Sequence, residues 1–190
     1  MARSKRALVI VDVQPTFCEE GSLPVSGGDT VAREIADFLS QDQGYDCVIT
    51  TQDWHIDPGP HFSENPDYKD SWPDHGVAGT SEADLHPELA NIHEKINYSV
   101  KKGMFQAAYS GFEGFDDHKR SLKQILDSES ITHVDVVGLA FDHCVKATAI
   151  DSAQNNFNTR VFVNLSAAVS PELNMEVSNE MRSHGVEVIH

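Results

Sequence analysis

Val134-Asp135-Val136-Val137-Gly138-Leu139-Ala140-Phe141-Asp142-His143-Cys144-Val145-Lys146-Ala147-Thr148-Ala149 reads as a buried strand that runs straight into a helix. Its first half, Val134–Leu139, is β-branched and apolar without strict alternation. That pattern suits a parallel strand covered on both faces. Val145, Thr148, Ala149, Ser152 and Ala153 then recur at helical spacing and form a narrow face of small residues that can lie close on a sheet. The same strand pattern returns at Ala7–Val13, Cys47–Thr51, Val161–Leu165 and, more briefly, Val186–Ile189. Helical patterns separate these runs. Thr30–Leu39 carries Val31, Ile35, Phe38 and Leu39, and Lys119–Leu126 carries Leu122, Ile125 and Leu126. Pro171–His184 opens on Ser170-Pro171-Glu172, a cap followed by proline in the first turn. Alternating strands and helices predict an α/β fold, a three-layer sandwich with a mostly parallel central sheet flanked by helices.

A chain of 190 residues fits a single domain spanning 1–190. At that size folding buries roughly 70% of the unfolded surface. The net charge of −16 disfavours phosphate backbones and anionic membranes, so nucleic acid and lipid are excluded as partners. No apolar run approaches the roughly 20 residues of a membrane span. The basic opening Met1-Ala2-Arg3-Ser4-Lys5-Arg6 is followed only by Ala7–Val11 before Asp12, too short for a signal-peptide core. Three cysteines without a C-x-x-C pair fit a reducing cytoplasm.

One stretch breaks the pattern. Residues 54–93 are rich in Pro, Gly, Asp and His and show almost no periodicity. Segments of this length inside a domain are functional or disordered, and Trp54, Phe62, Tyr68 and Trp72 argue against disorder. Asp53 and His55 sit two apart at a strand end, on a shared face. Pro58-Gly59-Pro60 can turn His61 back beside them, and His75 can close the set. Three imidazoles and a carboxylate suit Zn²⁺, Fe²⁺ or Mn²⁺. A polar loop with solvated histidines is the alternative, since the chain has ten histidines.

Cys144 opens the helix that follows Val134–Leu139. Free amides and the helix dipole at that position lower a thiol pKa and can hold an oxyanion. A buried structural cysteine is the competing reading, and it suits Cys47, which lies within a strand. Asp12, ending the first strand, is placed to have a raised pKa and to take a proton from a thiol. Its alternative is a turn cap. Lys101 and Lys102 precede Gly103, and a lysine beside a thiolate would stabilise it, although spacing alone reads the pair as solvated. Tyr109–Gly114 reads as a glycine-spaced loop.

Taken together, the segments Val11–Gln14, Phe17-Cys18, Asp53–Phe62, Ser71-Trp72-Pro73-Asp74-His75, Lys102-Gly103, Ala107–Gly114 and Gly138–Val145 resemble the nicotinamidase/pyrazinamidases of the isochorismatase-like cysteine hydrolases, over nearly the whole chain. The resemblance implies hydrolysis of nicotinamide to nicotinate and ammonia through a cysteine thioester, with pyrazinamide as a second substrate. It implies a catalytic triad of Asp12, Lys102 and Cys144, a cis peptide at Leu139-Ala140, and an oxyanion hole from the amides of Ala140 and Cys144. It implies a ring pocket from Phe17, Leu23, Trp72, Tyr109 and His143. It further implies one divalent transition metal on Asp53, His55, His61 and His75, zinc first, with iron or manganese as alternatives, held by a loop insertion around 54–93. The small molecule is the expected partner, and a homo-oligomer is compatible with the sequence. Pro15-Thr16 and Phe141 depart from the family pattern near the site and put substrate breadth in question.

Overall fold

The computed structural model describes residues 3–190; Met1 and Ala2 of the basic opening lie outside the described residues. Six strands form one sheet: β1 (Arg6–Val11), β2 (Cys47–Asp53), β3 (Tyr98–Lys102), β4 (His133–Leu139), β5 (Asn158–Ala167) and β6 (Glu187–Ile189). The spatial order is β3-β2-β1-β4-β5-β6, and every pairing is parallel. The mostly parallel sheet of the sequence is therefore wholly parallel.

Helices α1 (Gly28–Ser40), α2 (Pro87–Ala90), α3 (Leu122–Ser128), α4 (Lys146–Gln154) and α5 (Asn174–Ser183) cover the two faces. Alternate strand residues feed opposite cores. Val9, Ile49 and Val136 pack with Leu122, Ile125, Ala149 and Met181 of α3, α4 and α5. Leu8, Ile10, Val48 and Val137 pack with Val31, Ile35 and Leu39 of α1 and Leu89 of α2. The central strand β1 is buried on both sides, which is why its sequence is continuously apolar.

Sequence periodicity misses β3. Tyr98-Ser99-Val100-Lys101-Lys102 is an edge strand, paired with β2 on one side, and it carries polar residues where a central strand would be apolar. It also misplaces two helix starts. Lys119 adopts a left-handed φ of 61°, and α3 begins after Ser121, whose hydroxyl accepts the Gln124 N–H at 3.2 Å. Ser170 makes no side-chain cap; Pro171–Leu173 form a 3₁₀ turn ahead of α5.

The 54–93 stretch is ordered by its own backbone. His55 N–H bonds to Gly76 O at 2.8 Å and Ala78 N–H to His55 O at 2.9 Å. Farther out, Trp72 N–H bonds to His61 O at 2.8 Å and Ser63 N–H to Trp72 O at 2.9 Å. Short bridges His55–Val77 and Phe62–Trp72 result. A metal is thus not the sole organiser of this stretch.

The chain leaves β1 for β2 on one side and returns to β4 on the other, so the strand order switches direction beside β1. A crevice opens at such a point, at the carboxyl ends of the strands.

Candidate active site and metal centre

The carboxyl ends of β3, β2, β1 and β4 each deliver one polar group to that crevice. Lys102 ends β3, Asp53 ends β2, Asp12 follows β1 and Cys144 follows β4. Asp12 has a left-handed φ of 48°, which turns the chain out of the sheet. Its amide still bonds Thr51 O at 3.1 Å, and Thr51 Oγ1 donates to Asp12 Oδ1 at 2.6 Å. Lys102 is fully buried. Its Nζ lies 2.9 Å from Asp12 Oδ2, 3.8 Å from Cys144 Sγ, and in hydrogen-bond contact with Asp53 Oδ1. The neighbouring Lys101 points the other way, as strand alternation requires, and its Nζ sits 3.9 Å from the centre of the Trp54 ring.

Charge in this buried cluster is set by competition. Burial raises the Asp12 carboxyl, and Lys102 only partly opposes it, so Asp12 titrates above the ordinary range. For Asp53 burial also pushes upward, but Lys102 foremost, with His55 and His75 close by, prevails and holds it well below. Burial would deprotonate Lys102; Asp12, Asp53 and Cys144 overcome that and keep it an ammonium. The thiol contradicts the helix-dipole expectation. Burial, then Asp12 and Asp53, raise Cys144 well above the usual thiol range against the pull of Lys102. Its position explains the difference. Phe141–Val145 form a π-helical turn ahead of α4, so Cys144 does not sit in the open first turn of a regular helix. Cys144 therefore rests protonated, with the Lys102 ammonium 3.8 Å from its sulfur.

The peptide Leu139-Ala140 is cis. Ala140 O accepts both His143 N–H and Val145 N–H at 3.1 Å, which fixes the turn under the thiol.

His55, His61 and His75 are all buried, and one nitrogen from each lies within 4.8 Å of the others. Asp53 Oδ2 is 3.5 Å from His55 Nε2 and 3.6 Å from His75 Nε2. His55 Nδ1 lies 2.6 Å from Gly103 O, and His75 Nδ1 lies 2.8 Å from Pro73 O. Those carbonyls fix the Nδ1–H tautomer and turn both Nε2 lone pairs inward, the outer-shell arrangement of metal-binding histidines. Buried His55 Nε2 and His61 Nδ1 have no hydrogen-bond partner. Burial, then His75 and His55, lowers His61 to about 4, leaving it neutral as a ligand must be. Orphaned nitrogens with inward lone pairs beside an ionised carboxylate fit a divalent transition metal.

Two glycines make room. Gly103 and Gly76 have φ of +74° and +53°. A Cβ on Gly103 would lie 2.6 Å from His55 Cε1, and one on Gly76 would lie 2.8 Å from Asp53 Cβ.

Above these groups lies a cleft of about 440 Å³, open mouth included. Phe17, Leu23, Trp72, Tyr109 and His143 all line it, with Cys144 and Ala140 at one side and Asp53, His61 and His75 at another. Trp72 Nε1 donates to Tyr109 Oη at 3.2 Å, and the His143 ring lies edge-on to Trp72 at 5.2 Å. Tyr109 is set by the turn that follows it. Glu113 accepts the Tyr109 and Ser110 N–H groups at 2.9 Å, and Ser110 Oγ accepts Phe112 N–H at 3.1 Å. The cleft also takes Val25 and Val169, which no sequence signal marked, and Ala108, which stood in the Ala107–Gly114 segment without a role. Gln14, which stood in the Val11–Gln14 segment without a role, is a further contributor. Fully buried, it accepts Asp53 N–H at 2.9 Å and donates to Asp53 O at 3.0 Å, clamping the end of β2. The two departures from the family pattern do not reach the cleft. Phe141 is buried in the core, and Thr16 Oγ1 accepts Gly76 N–H at 3.0 Å beneath the loop.

Comparison with known proteins agrees with this geometry. The Mycobacterium tuberculosis nicotinamidase/pyrazinamidase is 49% identical over 185 residues, covering 97% of this chain and 98% of that protein. A yeast nicotinamidase bound to the inhibitor nicotinaldehyde superposes with a TM-score of 0.81 at 26% identity, covering 97% of this chain and 99% of its own. Pyrococcus horikoshii pyrazinamidase in complex with zinc superposes at 0.78 and 29% identity, covering 98% and 99%. The isochorismatase domain family matches residues 6–190, and the chain belongs to that family.

Proposed function

We propose that this chain is a nicotinamidase, an amidohydrolase that converts nicotinamide to nicotinate and ammonia, with pyrazinamide as a second substrate. One observation carries the reading. A buried thiol lies 3.8 Å from an ammonium that also contacts two carboxylates, at the edge of a cleft walled by aromatic rings. Amide hydrolysis needs a nucleophile, a proton carrier and a flat slot for the ring, and all three are present. The relatives named above act in support. A single domain with a metal-binding loop around 54–93, in the cytoplasm, completes the proposal; among the described residues no helix is long and apolar enough to cross a membrane.

In this mechanism the ring lies between Phe17, Trp72 and Tyr109, which brings the carboxamide carbon to Cys144. Asp12 takes the thiol proton, as its raised pKa allows. The sulfur attacks, and the amides of Ala140 and Cys144 receive the oxyanion. Asp12 gives its proton to the departing amine, and ammonia leaves a thioester. A water then enters, Asp12 accepts its proton, and nicotinate is released as the thiol re-forms. Lys102 stays an ammonium throughout and offsets the charge that passes between Asp12 and Cys144. Asp53, His55, His61 and His75 would hold zinc, or iron or manganese, which supplies Lewis acidity toward the pyridine nitrogen.

The purified protein is expected to carry about one divalent transition metal per chain, because imidazole-rich sites prefer such ions to Mg²⁺ or Ca²⁺. His55→Ala and His61→Ala should each lose it while remaining folded, because the loop keeps its backbone pairing. Elemental analysis with circular dichroism checks both points. Full metal content in both variants would refute the ligand set.

Nicotinamide should outperform benzamide on the order of 10²-fold in kcat/KM. The rings have the same shape, so the aromatic walls accept either, but benzamide offers no ring nitrogen. Near-equal values on one metal-replete preparation would remove any orienting role for the metal.

A further inference from the structure

We propose that Asp142 is a positioning residue that holds Val169 as one wall of the cleft, and that this pair sets how large a ring the enzyme accepts. The inference rests on the amidohydrolase reading above. Asp142 lies in the nucleophile turn, two residues before Cys144, but its carboxylate bonds the segment after β5 and no group of the Asp12–Lys102–Cys144 cluster. It is buried, and it accepts Val169 N–H at Oδ1, 2.9 Å, and Ser170 N–H at Oδ2, 2.8 Å.

These bonds replace a missing ladder. The last β4–β5 pair is Leu139 with Ala167, and both strands end there. Beyond it, among the described residues, neither Val169 N–H nor Ser170 N–H reaches a main-chain carbonyl. Asp142 is thus the hydrogen-bonding anchor for the Val169 and Ser170 amides of this segment. That segment matters because the Val169 side chain lines the cleft beside Leu23 and Val25 while remaining 45% exposed. Such a side chain has few packing neighbours of its own, so its place is set by its backbone. The nucleophile turn, by contrast, keeps its own bonds from His143 and Val145 to Ala140 O. Loss of the Asp142 anchor should therefore loosen the wall more than the thiol.

The chemistry of the anchor gives a clean variant. A carboxylate presents an oxygen to each amide. An Asn side chain keeps the volume but turns an NH₂ toward one of the two N–H groups, so at least one bond is lost. In Asp142→Asn, KM for nicotinamide should rise about tenfold, the scale of one hydrogen bond to a charged group, with kcat within about threefold. The preference for nicotinamide over at least one of its ring-methylated derivatives should fall in the same variant. Val169→Ala, which shortens the wall without touching the anchor, should lower that preference too, and it carries the test if Asp142→Asn does not fold. A fall in kcat with KM unchanged would put Asp142 to work on the nucleophile turn and overturn the proposal. So would methyl-series preferences in both variants equal to those of the parent. If the parent itself releases no ammonia from nicotinamide, the functional reading fails first and takes this inference with it. Parent activity with unaltered variants sinks the inference alone.

Discussion

Cys144→Ala should lower kcat for nicotinamide by about 10⁴-fold or more, because a covalent nucleophile acts as a unit with its base and its removal is not made good by the rest of the site. No other sulfur can take over. Cys18 and Cys47 are buried away from the cleft. Burial first, then nearby carboxylates, pushes both thiols up to about 12. The variant should fold as the parent does, since Cys144 donates no bond on which the turn depends. Ammonia release under saturating substrate measures the loss, and elemental analysis confirms that the metal is retained. Activity within tenfold of the parent would rule out a thioester route.

Lys102→Ala should also lose activity, on the order of 10³-fold, whereas Lys101→Ala should stay within about twofold. The two side chains differ only in strand parity. One is enclosed by Asp12, Asp53 and Cys144, and the other lies against Trp54 at the surface. Lys102→Ala carries a second consequence. It leaves two buried carboxylates without a counter-charge, a loss of about 3–5 kcal/mol in stability for a buried pair broken on one side. Thermal melts should show that drop for Lys102→Ala and almost none for Lys101→Ala. Asp12→Asn, which removes a charge from the cluster, should lose activity comparably and slow alkylation of Cys144, because the group that receives the thiol proton is gone. Equal effects at the two lysines would mean that the register of β3 is wrong.

The sheet was legible because its central strands are buried on both faces and therefore read as unbroken apolar runs. β3 was not, since an edge strand ending in Lys101-Lys102 looks like a solvated turn until its pairing with β2 is known. The chemistry-bearing residues were legible as types in a pattern, Asp53 and His55 two apart, His61 after a Pro-Gly-Pro turn, Cys144 after a strand. The protonation state of Cys144 was not. Position near a helix start argues for a low pKa, but burial among Asp12, Asp53 and Lys102 decides it, and those partners lie on three other strand ends. Val25 and Val169 were invisible, and Ala108 had no assigned role, for a simpler reason. Aliphatic residues in loops carry no periodic signal, and only the fold brings them around one cleft. Gln14 and Asp142 stood in the segments that carry the resemblance but had no role there, because their roles are hydrogen bonds to main chain far away in sequence.

In the proposed reaction Cys144, activated by Asp12 beside Lys102, hydrolyses the carboxamide of nicotinamide. Ammonia and nicotinate should be measured together on the metal-replete protein, with Cys144→Ala run alongside. The expected result is equimolar release of both products by the parent and none above background from the variant. A folded, metal-loaded parent that releases no ammonia, or a variant that releases it as fast, would contradict that reaction.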